Sequence, residues 1–369
     1  MKKIIALLMI FALVFAITSC GDEKYPPVQS TELESQVVMT VNFEGKTYNV
    51  KYELYRALFL NLCDSVDGGD KSVWSGSNKE EYIGRIDEII KRDIADIYSV
   101  FHVADKIGID VYSKEFDKAV KEFIEVSVEG GYYDEQFLEG FDGSYDKYLD
   151  SLKDMNLNYS VQDMLLRYTL ATEKIFEYYA GYLDGEYLPE SVPGKLEYTR
   201  EDVRGFYESD GCVRVIRAYL PKSYFTRERA EEIRNTIAER ANYGDDEVIN
   251  YIIGTTSTAA SDVKDGEVIG RHNLDKMYYT ELEETAFALN YFEVSDVIEI
   301  STGYDEGYTI LYKIAKSDEH FEDSYEAIAS VYVQNEIGKI FDTASLGIFD
   351  SIRLTQILTN LDRANITME

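Results

Sequence analysis

Residues 281–289 read Glu-Leu-Glu-Glu-Thr-Ala-Phe-Ala-Leu, and the chain continues through Val294, Ser295 and Asp296 to Gly307, Tyr308, Thr309 and Ile310. Apolar residues at helical spacing, closing on Ala286 and Phe287, predict an amphipathic helix. Upstream, Gly266 and Gly270 mark turns, and 254–265 reads as a loop. Residues 212–220, Cys-Val-Arg-Val-Ile-Arg-Ala-Tyr-Leu, read as a strand. A helix over 227–243 turns Ala230, Ile233, Ile237 and Ala241 to one side. Thr199 followed by Asp202 is a capping-box signal for a further helix through Val203, Phe206 and Tyr207.

Around this segment lies a long chain. At 369 residues, more than one domain is expected. Hydrophobic residues make up 45% and charged residues 29%, which is ample for a buried core. The net charge of −32 is the wrong sign for nucleic-acid binding, which is excluded as a function class. Such a field would favour basic or neutral partners. Cys63 and Cys212 have no metal or redox spacing and read as buried thiols; a single disulfide between them is left open. His102, His272 and His320 are scattered, so no metal site and no cofactor is expected. No phosphate-binding loop, dinucleotide fingerprint or nucleophile elbow is present.

Lys2 and Lys3 precede an apolar run over 4–17, which ends in Ile17-Thr18-Ser19-Cys20. The charge and the length fit a secretory signal. The ending resembles a bacterial lipobox, which implies cleavage before Cys20 and acylation of its sulfur. Two acyl chains would anchor the chain stably, at about 0.8 kcal/mol per buried CH₂. Residues 21–36 read as a polar tether.

From Val37 the alternation Val37, Met39, Val41, Phe43 predicts a strand, Glu44 and Gly45 a turn, and Tyr48 and Val50 a second strand. Helices follow: one through Tyr52 and Leu62, then a long one with Ile83, Ile86, Ile90, Ile94, Ile97 and Phe101 in register. Ser113 and Ser144 are N-caps, and Ser160 is expected to open another helix. Phe137 and Leu138 are expected in a short helix. Residues 185–194 read as a linker. Residues 321–341 predict a helix, and Ile348, Ile352, Leu354 and Ile357 one or two strands.

Taken in order, the Gly turn, the helix ending in Ala286-Phe287, the turn at 294–296 and the Gly307-Tyr308 strand resemble the second half of a parvulin, a small peptidyl-prolyl isomerase domain. The preceding hairpin and paired helices resemble the N-terminal segment of the SurA/PrsA chaperones. The resemblance implies an α+β fold: a mainly helical N- and C-terminal chaperone domain with an inserted parvulin-like domain of antiparallel sheet plus helices. Its boundaries would be a signal at 1–19, a lipid-anchored tether at 20–36, the helical domain at 37–198, the parvulin-like domain at 199–317 and a return at 318–369. Met277 and Phe287 fall on the family's apolar proline-gripping positions. Its two histidine positions are filled by Arg217 and Thr309. The loss of both implies weak or absent isomerase activity, so the catalytic residues stay unassigned.

The implied function is an extracytoplasmic, membrane-anchored chaperone that binds unfolded or partly folded secreted polypeptides, tied to the bacterial cell membrane through Cys20. The chain's 31 tyrosines fit adaptable binding surfaces as well as core packing. Two other readings stand beside it: an active isomerase with a rearranged pocket, and a lipoprotein with one envelope partner. A homodimer is left open.

Overall fold

The long apolar register of residues 83–104 forms the helix around which the first half of the chain packs. A computed structural model describes residues 24–67, 70–133, 136–181, 194–256, 264, 266–271, 276–301, 306–360 and 366. The signal, Cys20 and His272 lie outside the described residues, as does the side chain of Met277. No helix among the described residues is long and apolar enough to cross a membrane.

The chain opens with strands β1 (Val37–Phe43) and β2 (Lys46–Lys51), paired antiparallel with Phe43 opposite Lys46. Glu44 and Gly45 take positive φ, 44° and 78°, and make the tight connection. Helix α1 (Tyr52–Asp67) follows, then a 3₁₀ turn (Lys71–Ser75) and α2 (Lys79–Lys106). At 28 residues α2 is about 42 Å long. Ile83, Ile86, Ile90, Ile94, Ile97 and Phe101 lie on its buried stripe. Helix α3 (Lys114–Glu129) starts where Ser113 accepts from Phe116 N–H. Strands β3 (Gly131–Tyr133) and β4 (Gln136–Leu138) form a two-stranded ribbon. Helix α4 (Tyr145–Asp154) is capped by Ser144, and α5 (Tyr159–Ala180) completes the helical lobe.

Two expectations are corrected here. Phe137 and Leu138 are strand, not helix: Leu138 pairs with Gly131 in a short ribbon and packs on the core of the lobe, which outweighs local preference. Helix α5 is capped by Asn158, whose side chain accepts from Val161 N–H. Ser160 instead donates to Glu53 at 2.8 Å. That carboxylate is buried and also accepts from Ser30 and Asn158, at 2.5 and 3.0 Å. Residues 24–36 are therefore held against the lobe. Tyr25 donates to Glu129 at 3.0 Å, and Pro26 accepts from Tyr145 at 2.7 Å.

The second part begins with α6 (Arg200–Glu208), closed by a complete capping box between Thr199 and Asp202. Strand β5 (Cys212–Pro221) is followed by α7 (Arg227–Ala241), α8 (Asp245–Thr255), β6 (Glu267–Gly270), α9 (Lys276–Ala288), β7 (Ile298–Ser301) and β8 (Glu306–Ile314). The strands make an antiparallel sheet of order β6-β5-β8-β7. Helix α8 takes in Gly254, which the sequence assigns to a loop; its first turn carries Asp245, Asp246 and Glu247, favourable at a helix N-terminus. Helices α7 and α8 cover one face of the sheet through Ile216, Ala218, Leu220, Ile310 and Tyr312. Helix α9 covers the other through Val213, Val215, Leu282, Ala286 and Leu311. Cys63 and Cys212 are both buried and form no disulfide.

After α10 (Asp318–Asp323), helix α11 (Tyr325–Ser351) runs about 40 Å over its 27 residues. Its first half buries Ile328 and Ala329 with Val203, Phe206 and Phe321. Its second half buries Ala344 and Ile348 in the core of the helical lobe. A Cβ on Gly347 would lie 2.3 Å from the Phe43 ring, so glycine permits this approach. Ile348 is helical rather than part of a strand. Only β9 (Ile352–Leu354) is extended, pairing Met39 with Leu354 and Val41 with Ile352, before the short α12 (Gln356–Asn360). The fold is α+β, with the sheets small and antiparallel.

Candidate functional site

Strand alternation fixes which side chains meet on the central sheet. In β5, Val213, Val215, Arg217 and Tyr219 share the face toward α9; in β8, Gly307, Thr309, Leu311 and Lys313 do. Arg217 pairs with Leu311, and Tyr219 with Thr309. Arg217 and Thr309 are therefore diagonal neighbours on one face, which by sheet geometry puts them about 7–8 Å apart. Two positions separated by 92 residues in sequence are brought together by the register alone.

Thr309 is fully buried, at 0% exposure, and its hydroxyl has no hydrogen-bond partner. The Tyr219 ring lies across Gly307, where a Cβ would come within 2.4 Å of it. Opposite, Ser295 clasps β8: its N–H donates to Leu311 O at 2.8 Å, and its Oγ accepts from Leu311 N–H at 2.9 Å. This explains the turn read at 294–296.

The Arg217 guanidinium sits 5.7 Å from the Tyr219 ring centroid. A cavity of about 220 Å³ opens beside it, bounded by Glu267 and Gly270 of β6, Leu282 and Glu283 of α9, and Val331 and Asn335 of α11. Arg217 is a permanent cation that can only donate hydrogen bonds, and a threonine hydroxyl does not titrate near neutral pH. These two side chains can bind and orient polar groups. Of the described histidines, His102 bonds Tyr48 and Glu44 at 3.0 and 3.2 Å in the helical lobe, and His320 bonds Tyr207 at 2.9 Å. Neither belongs to this face.

Phe287 packs half-buried on the sheet's α9 side. The Arg271 guanidinium lies 4.1 Å from its ring centroid and is held there by a 3.0 Å bond from Nε to Asp210 O. Leu282 and Glu283 form the α9 wall of the cavity, while the Phe287 ring meets Arg271. Met277 lies ten residues earlier on the same helix, about 15 Å along its axis.

Lys313, on the same sheet face, donates to Leu289 O at 2.7 Å at the C-terminal end of α9. Burial pushes its pKa down, and the charges of Lys316 and Arg271 push it further the same way. Sequence reasoning missed Val331, Asn335 and Arg271. One signal was present: Ile328, Val331 and Asn335 recur at three and four, so a polar residue occupies an apolar stripe, and Asn335 is 2% exposed.

No protein-family description matches the chain, and no curated protein matches it. Among solved structures it is similar to foldase protein PrsA from Streptococcus pneumoniae str. Canada MDR_19A, at 14% identity over 76% of this chain and 93% of that one, with a TM-score of 0.25. It is similar to foldase protein (PrsA) from Lactococcus lactis, at 13% identity over 88% and 96%, TM-score 0.23. PrsA from Bacillus subtilis gives 15% identity over 86% and 93%, TM-score 0.23. Likeness at these scores assigns neither an activity nor a partner to this chain.

Proposed function

We propose that this chain is an extracytoplasmic holder of unfolded exported polypeptides, anchored to the membrane through Cys20, with weak or absent prolyl isomerase activity. The observation that carries the second half is that Arg217 and Thr309 are diagonal neighbours on one sheet face, the latter with a buried hydroxyl that bonds nothing. Isomerisation must lower a barrier of about 18–20 kcal/mol set by amide resonance. That requires preorganised polar groups aimed at the twisted amide. A permanent cation beside an idle hydroxyl is a different arrangement from the hydrogen-bonded imidazole pair that the sequence resemblance implies.

Holding is supported by the division of the chain. A helical lobe and a small α/β unit, spanned by one long helix, leave surfaces on both parts for an extended segment. The parvulin-like unit is read as an insertion over 199–317, with Met277 and Phe287 as its apolar contacts for polypeptide.

The test is an aggregation-suppression assay run beside a proline-isomerisation assay, on the chain beginning after Cys20. Suppression with several unrelated clients and little turnover is the expected result. Turnover at the level of an ordinary parvulin refutes the catalytic half, and no suppression refutes the holding half. Recovery of one stoichiometric envelope partner would support the lipoprotein alternative. Loss of acyl labelling in Cys20→Ser checks the anchor.

A further inference from the structure

The ribbon of β3 and β4 is built to keep two aromatic rings in water. Tyr132 pairs across the strands with Phe137. The two are 73% and 65% exposed, and their rings meet edge to face with centroids 5.5 Å apart. The opposite face of the ribbon is anchored: Tyr133 packs on Phe123 at 5.3 Å, and Leu138 lies against the core of the lobe. Burying either exposed ring would gain roughly 1.5–3 kcal/mol, yet the ribbon turns both outward.

The base of the ribbon fixes that direction. Gly130 and Gly140 take φ of 80° and 72° and cross in direct backbone contact. A Cβ on Gly140 would lie 2.2 Å from Gly130 N, and one on Gly130 would lie 2.7 Å from Glu139 O. Phe141 N–H and Gly143 N–H both donate to Val128 O at 2.9 Å, tying the base to the end of α3. The rings are thus presented by a rigid backbone crossing, which lowers the ordering cost of binding against them.

The stretch of sequence that carries them is acidic. Between Lys121 and Lys147 the sequence contains no lysine, arginine or histidine. Glu122, Glu125, Glu129, Glu139, Asp142 and Asp146 are the described carboxylates of that stretch. Lys118 reaches Glu122 at 3.3 Å and Lys147 reaches Asp142 at 3.2 Å, while Lys24 pairs with Glu129; all three cations come from outside the stretch. An apolar pair in an acidic field fits a cationic, apolar partner. The same field repels an anionic bilayer surface and a second copy of a chain whose net charge is −32.

We infer that this ribbon is a docking site for extended polypeptide segments in which lysine or arginine flanks large apolar side chains. The inference rests on the holding function proposed above and names the class of segment held.

The test uses the full chain, purified from membranes in mild detergent, and fluorescently labelled peptides read by anisotropy. One peptide alternates Lys with Leu and Phe; its counterpart carries Glu in place of Lys. The basic peptide should bind at least tenfold more tightly than the acidic one. Tyr132→Ser with Phe137→Ser should weaken it about tenfold, Tyr132→Phe with Phe137→Tyr should preserve it, and Glu139→Lys should narrow the preference. Equal binding of both peptides, or full affinity in the double-serine variant with an unchanged circular dichroism spectrum, overturns the docking site. If that variant also suppresses aggregation like the parent, the holding function stands and only the ribbon's part in it falls. Loss of anionic-vesicle binding in the variant, with peptide binding intact, would make the ribbon a membrane contact. Loss of a concentration-dependent dimer, likewise with peptide binding intact, would make it a self-association surface. Either outcome overturns the inference.

Discussion

Thr309→Val should make the protein more stable. The parent hydroxyl is fully buried and bonds nothing, so it carries the desolvation penalty of an unpaired polar group, about 1–3 kcal/mol. Valine keeps the β-branched shape and suits a strand. It replaces the hydroxyl with a methyl on the face where Val215 and Leu311 already pack. That adds on the order of 1 kcal/mol of apolar burial, partly offset by the larger methyl in a closed site. The net expectation is a gain of about 1–2 kcal/mol. Thr309→Ser is the control: it keeps the unpaired hydroxyl and loses a methyl, so it should cost about 1 kcal/mol. Urea unfolding followed by circular dichroism reads the difference. At a slope of about 2–3 kcal/mol per molar, the valine variant should shift the midpoint upward by roughly 0.5 M. Amide exchange in β5 and β8 should slow, because the change is local to those strands. A valine variant less stable than the parent by 1 kcal/mol or more would refute the reasoning, since the hydroxyl would then have a partner. Isomerase turnover that falls in Thr309→Val would refute the non-catalytic reading of the site.

Further outcomes follow from other sites. Phe292 sits at φ 67° with its side chain 55% exposed, so Phe292→Gly should relieve αL strain and stabilise by about 0.5–1 kcal/mol in thermal unfolding. Gly140→Ala places a Cβ 2.2 Å from Gly130 N at a positive φ; it should destabilise by about 2 kcal/mol or more and loosen the ribbon, seen as faster amide exchange at Phe141 and Gly143. Glu53→Ala removes a buried acceptor from Ser30, Asn158 and Ser160 together and should cost about 3 kcal/mol in chemical unfolding. Asp202 is held below the ordinary carboxylate range by hydrogen bonds from the Thr199 side chain and backbone. Its folded pKa is the lower one, so its contribution is present above the unfolded value near 4 and is lost as pH falls through the folded value. Asp202→Asn should flatten that part of the acid-unfolding curve.

Local signals were legible in the sequence wherever structure is set by near neighbours. The stripe of α2 is written at three and four residues because a helix repeats every 3.6. Ser113, Ser144 and the Thr199–Asp202 box stand where free helix N–H groups need acceptors. The turn at Glu44 and Gly45 follows from the positive φ it requires. Residues 212–220 read as a strand, and they form β5. Misreadings occurred where a contact outside the segment itself decided. Phe137 and Leu138 are strand because Gly131 and Tyr132 lie opposite them. Ser160 lost the cap to Asn158 because Glu53, more than a hundred residues away, accepts from its hydroxyl.

The candidate site divides the same way. Arg217, Thr309 and Phe287 were each visible as residue types on a strand or helix. That Arg217 and Thr309 share a face follows from the β5–β8 register, and that Arg271 covers Phe287 follows from the path of the chain beyond β6. The wall that α11 gives the cavity depends on Gly270, where a Cβ would lie 3.1 Å from the Val331 side chain. Periodicity is a property of one segment, so the sequence by itself settles which faces are apolar. Only the tertiary structure settles which face meets which, because register and close approach are joint properties of segments far apart in the chain.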